Sequence, residues 1–109
     1  MQPDADRTRG SAAVCILGEL RTFAQPVVWQ SQARYVIQPL LQDGWDVDVF
    51  ASVDDRGSTS RDLQILDLVF RARTKFERAA TVTQYSRYKT CLELMQARRK
   101  QYRWVVKIR

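Results

Sequence analysis

Histidine is absent from the 109 residues, and cysteine occurs only twice, at Cys15 and Cys91. Without histidine, neither a Ser-His-Asp nor a Cys-His mechanism is available within the chain. With two cysteines in separate apolar segments there is no zinc ligand set, so any metal would have to be held by carboxylates. Neither cysteine belongs to a Cys-x-x-Cys pair, and each is read as a buried free thiol rather than half of a disulfide. Long apolar runs are also missing. The run Ala12–Leu20 is too short to cross a bilayer, which takes about 20 apolar residues, and it lacks the basic leader and small-residue cleavage site of a secretory signal. The segment is expected to be soluble as given, which leaves room for a membrane anchor upstream in a longer parent of the secretory pathway.

Several signatures of common chemistry are absent too. There is no Gly-x-Gly-x-x-Gly, no Gly-x-x-x-x-Gly-Lys-Ser/Thr phosphate loop and no Gly-x-Ser-x-Gly elbow, so a dinucleotide oxidoreductase, a phosphate-loop NTPase and an α/β-hydrolase all lose support. What remains is a chain with 45% apolar and 28% charged residues, too apolar for disorder and of a length for one domain. Its net charge of +6 is uneven: residues 1–54 hold four Lys and Arg against seven Asp and Glu, and residues 55–109 hold fourteen against five. A basic second half suits phosphate-bearing ligands, an anionic partner or RNA, and equally a solvated helix face.

The apolar pattern alternates between strand and helix. Residues 1–11 are read as a polar disordered tail. Ala12–Leu20 is an unbroken apolar run of the kind buried on both faces of a parallel sheet. Pro26 opens a helix whose Trp29, Ala33, Val36, Ile37, Leu40 and Leu41 recur at helical spacing; Pro39 should kink it and Asp43-Gly44 should close it. Period-two alternation from Asp46 to Val53 predicts a second strand with Val47, Val49, Ala51 and Val53 on one face. Asp48, on its other face, should pair with a cation or lie at an edge. Ser60 is the expected cap of a helix with Leu63, Leu66, Val69 and Phe70 on its apolar side. Thr74–Arg78 is a short candidate strand. A helix from about Thr83 carries Tyr85, Tyr88, Cys91, Leu92 and Met95 and ends in Arg98-Arg99-Lys100, and Tyr102–Arg109 reads as a final strand. The fold class is α/β, a Rossmann-like, mostly parallel sheet with helices on both faces, expected to be incomplete. In such sheets ligands bind beyond the carboxyl ends of the strands.

Four segments in order carry a resemblance: Cys15-Ile-Leu-Gly-Glu-Leu-Arg-Thr-Phe23, Asp46-Val-Asp-Val-Phe-Ala-Ser52, Gln84-Tyr-Ser-Arg-Tyr-Lys-Thr-Cys91 and Tyr102–Arg109. Over residues 12–109 the chain resembles the amino-terminal part of uncharacterised glycosyltransferase-like proteins, relatives of the nucleotide-diphospho-sugar transferases with a single α/β domain. The resemblance implies a fragment that supplies the nucleotide side of a nucleotide-sugar donor site. It implies nucleotide-binding roles for Gly18, Arg21, Thr22, Asp54, Gln84 and Lys89. In the resembled family the last strand runs on into an aspartate that begins an acidic motif holding a divalent cation, Mn or Mg, on the donor diphosphate. That aspartate is not in this sequence, so no catalytic and no metal-binding residue is assigned and enzymatic activity is left open.

Each of these residues also has a plain structural role to weigh. Arg21 can fork onto a phosphate or pair with Glu19. Gly18 can let a ligand approach the backbone or simply end the strand. Asp54 and Asp55 can accept from a ribose or stabilise the turn before Gly57. Gln84 and Lys89 can serve a donor pocket, a helix cap or a solvated face. Trp29, Trp45 and Trp104 are read as core or interface rather than sugar platforms. Two alternatives stand beside the glycosyltransferase reading: a noncatalytic basic module binding RNA or another polyanion, which the lack of an aromatic-rich motif disfavours, and a degenerate structural remnant of the fold.

Overall fold

The computed structural model describes residues 9–78 and 83–108. Most of the expected tail, residues 1–8, and the last residue of the expected final strand, Arg109, lie outside them. Four strands form one sheet in the order β3-β2-β1-β4: β1 Gly10–Glu19, β2 Trp45–Asp54, β3 Arg73–Phe76 and β4 Trp104–Ile108. Every pairing is parallel. The sequence-derived α/β, Rossmann-like architecture is therefore the one found, including the short third strand, which lies at one edge.

The apolar run of β1 puts it at the centre. Ala12 through Leu17 are all buried, because the sheet carries structure on both sides. Val14 and Ile16 face one side with Val49, Ala51, Val53 and Ile108, while Ala13, Cys15 and Leu17 face the other with Phe50, Cys91 and Met95. Burying a side chain the size of Phe50 or Ile16 contributes roughly 1.5–3 kcal/mol relative to leaving it in water.

The first face is covered by α1 Leu20–Phe23, by α2 Pro26–Gln32 running through a π-helical turn, Ala33–Ile37, into α3 Gln38–Gln42, and by α4 Ser60–Gln64 running into a second π-helical turn, Ile65–Val69. Pro39 lacks a donor, and the five-residue turn just before it absorbs the mismatch without breaking the helical path. Gly44, at φ 90°, then ends it.

The structure departs from the sequence reading in several places. β3 runs from Arg73 and ends at Phe76 rather than Arg78, and β4 starts at Trp104 rather than Tyr102. β1 begins two residues earlier, at Gly10, and Leu20 opens α1 rather than closing the strand. Thr59, not Ser60, caps α4: its side chain accepts from the Asp62 N–H and the Asp62 carboxylate accepts from the Thr59 N–H, a reciprocal pair that Ser60 cannot make with the residue three positions on, Leu63. Leu63 and Val69 are exposed, while Leu66 and Phe70 are buried as expected together with Ile65, which the π-helical turn places five residues before Phe70 on the same side. Leu41 is likewise exposed.

A further departure concerns the cysteines. Cys15 and Cys91 form a disulfide with Cα atoms 6.2 Å apart, so neither is a free thiol. It joins β1 to α5 Gln84–Ala97, the helix on the second face. This bond lies on the face of α5 that meets the sheet. With Cys91 aimed at β1, the buried face becomes Arg87, Thr90, Cys91 and Met95, and Tyr85, expected on the apolar stripe, is left exposed.

Candidate functional site

At the amino end of the sheet the side chains serve the scaffold. Asp48 accepts from Tyr102 Oη at 2.6 Å and from Lys100 Nζ at 3.1 Å, with the Arg98 guanidinium 3.7 Å away. Partial burial pushes the Asp48 carboxyl up, but these hydrogen bonds and charges outweigh it and leave the group below its ordinary value. Burial, then the bond to Asp48, pushes the Tyr102 phenol up to about 12. Two members of the basic run after α5 are thus spent on β2. Trp45 and Trp104 meet edge to face at this same end, at the starts of β2 and β4, and Trp29 packs edge on against Phe70. None of the three tryptophans stands at the carboxyl edge.

The carboxyl edge gathers most of the expected residues. Gly18 is next to last in β1 with φ +119°, a conformation side chains rarely adopt, and a Cβ there would lie 3.6 Å from Gln84 Nε2. Bare backbone therefore faces the amino end of α5. That end is capped by Thr83, whose hydroxyl accepts from the Ser86 N–H at 3.0 Å. Beside it opens a cleft of about 180 Å³ lined by Leu17, Gln84, Tyr85, Tyr88 and Lys107, with Lys107 Nζ 4.8 Å from the centre of the Tyr88 ring.

Arg21 sits just past β1, its guanidinium paired with Glu19 at 3.1 Å and its stem against Gly57 of the β2 loop. Both partners are more than half exposed, so the pair is a surface salt bridge of roughly 0.2–1 kcal/mol. Thr22 is exposed on α1. Asp54 is buried at the end of β2, and both of its oxygens are engaged by the Arg56 side chain and backbone N–H. Hydrogen bonds from Arg56 hold its carboxyl down at about 2. Asp55 is held in the same way by the Arg78 guanidinium, with one contact at 2.9 Å. Lys89 is exposed and stands apart: five residues beyond Gln84, it lies about 140° around the helix.

Gly18, Arg21, Asp54 and Gln84 are thus brought to one edge, and Lys89 is not. The residues described do not fit a divalent cation, since Asp54 and Asp55 are committed to arginines and, among the described residues, no three Asp, Glu or Cys side chains converge as a ligand set. Sequence reasoning passed over Arg87, which is buried beneath the same edge, and Tyr88 and Lys107, which line the cleft. The spacing of Arg87, four residues before Cys91, was a signal available for it. Among the described residues, no helix is long and apolar enough to cross a membrane. The chain matches no family model, no curated protein and no solved structure.

Proposed function

We propose that the carboxyl edge of this sheet is the nucleotide side of a nucleotide-sugar donor site in a glycosyltransferase-like domain. The observation that carries the reading is the meeting of Gly18 and Gln84: a glycine in a conformation reserved for glycine opens the end of the central strand to the first turn of α5, beside an aromatic cleft. Parallel sheets take ligands at this edge because the loops and helix amino ends converge there. Gly18 lets a nucleotide approach the backbone, Gln84 offers an amide for pairing, and Arg21 is loosely enough tied to Glu19 to turn onto a phosphate oxygen. In a donor substrate the leaving group is a diphosphate, whose growing negative charge such cations neutralise. The Cys15–Cys91 bridge favours an oxidising compartment, in keeping with a parent of the secretory pathway.

Calorimetric titration of the chain with a nucleoside diphosphate tests the proposal. Arg21→Ala should weaken binding by about ten- to a hundredfold, the cost of a charge-assisted contact, while the melting temperature stays nearly constant. An unchanged affinity with a lowered melting temperature would assign Arg21 to the scaffold, and no binding by the wild type would overturn the reading.

A further inference from the structure

Arg87 stands in the opening turns of α5, a helix of 14 residues, on the same face as the disulfide. It is only 7% exposed. Its Nη2 reaches the Glu77 carbonyl at 3.4 Å, and its Nη1 has no hydrogen-bond partner among the described residues. The other arginines of this edge are in ion pairs, Arg21 with Glu19, Arg56 with Asp54 and Arg78 with Asp55; Arg87 acts on the Asp54 carboxylate only through its charge, without a direct contact among the described residues. The Glu77 carboxylate is turned to the Thr90 hydroxyl, which donates to it at 2.5 Å.

Two unfavourable features meet in this residue. A buried guanidinium with an open N–H is costly, and a cation near the amino end of a helix opposes the positive end of the macrodipole. One ligand relieves both. An oxyanion placed before the first turn of α5 would accept from Nη1 and from the helix end together. Ser52 Oγ, fully buried on the face of β2 shared with Asp54, also has no partner among the described residues, so unmet polar groups extend inward from the edge beneath α5.

We infer that Arg87 and the amino end of α5 form a binding site for a phosphoryl group. A tetrahedral phosphoryl offers three acceptor oxygens, enough for the guanidinium and the helix end at once, where a carboxylate offers two. The inference shares with the proposed function only the edge at which the ligand arrives; the anion site does not require that a nucleoside be recognised.

Inorganic pyrophosphate is the probe, titrated into the whole chain at low salt by calorimetry and followed through the ¹⁵N-labelled arginine side chains. Binding should move the Arg87 Nε resonance, and Arg87→Gln should lower affinity by about ten- to a hundredfold. Arg34→Gln, an equal change of net charge on an exposed position of the opposite face, should leave it within about threefold. An Arg87 resonance that pyrophosphate does not move overturns the inference even if Arg87→Gln fails to fold, and so does wild-type affinity in a folded Arg87→Gln. A nucleoside diphosphate that binds no tighter than pyrophosphate removes the nucleotide reading and leaves this site standing. One that binds with Arg87 unmoved does the reverse.

Discussion

Cys15 in the middle of β1 and Cys91 in the middle of α5 are bonded across a separation of 76 residues, and both are fully buried. The bond ties α5 to the sheet on the face where Met95 is buried and Tyr88, Leu92 and Leu94 pack, alongside the buried Arg87 and Thr90. Gln84, Tyr85, Arg87 and Tyr88 at the carboxyl edge all depend on the rotation of α5.

Removing the bond should therefore act on stability and on the site together. In the chain-entropy account, a loop of this length is worth about 4.5 kcal/mol, so the Cys15→Ala, Cys91→Ala double variant should unfold at a markedly lower denaturant midpoint than the oxidised chain. Hydrogen exchange should quicken in α5 before it does in β1 and β2. Equal protection of α5 in both proteins would show that packing alone fixes the helix.

The cap of α4 separates neighbouring residues. Thr59→Ala should cost about 1 kcal/mol, since it removes the acceptor for the Asp62 N–H, while Ser60→Ala should be nearly neutral. Urea unfolding of the two single variants measures both. A larger loss from Ser60→Ala would contradict the observed capping pair.

Acid should act through Asp54. Its folded carboxyl is held at about 2 against an ordinary value of 3.8, so the stability it contributes is fully present above pH 4 and is lost as pH falls through about 2. Asp55 and Asp48, also lowered, act in the same direction. The melting temperature should fall on acidification across this window, and Asp54→Asn should flatten the fall. A carboxyl resonance of Asp54 titrating near its ordinary value would remove the cause.

Alkali should act through Tyr102. Its phenol is raised to about 12, so the neutral form is the one the fold favours. That stability is complete below about pH 10 and drains away as pH rises toward 12. Asp48→Asn removes a charge facing the phenol and should bring its ultraviolet titration midpoint down. An unshifted midpoint would leave burial as the whole explanation.

How much of this was legible in sequence depended on how local each signal was. The runs of β1 and β2, the alternation of Val47, Val49, Ala51 and Val53 and the positive-φ glycine at the end of α3 are short-range patterns, and each identified its element. The exposed position of Val69 was not legible, because a helical period of 3.6 is assumed when residues are counted and the π-helical turn before Phe70 breaks it. Composition and periodicity determined an α/β chain with a central strand buried on both faces and a carboxyl edge formed by the segments after the first two strands; Gln84 was named only by the resemblance. Only the tertiary structure decided the distant partners: Cys15 with Cys91, Asp48 with Lys100 and Tyr102, and Arg87 with one N–H unmet among the described residues. The physical reason is distance along the chain. A pairing across 76 or 54 residues depends on where the sheet puts two side chains and how far a helix is rotated, and neither is written in the residues between them.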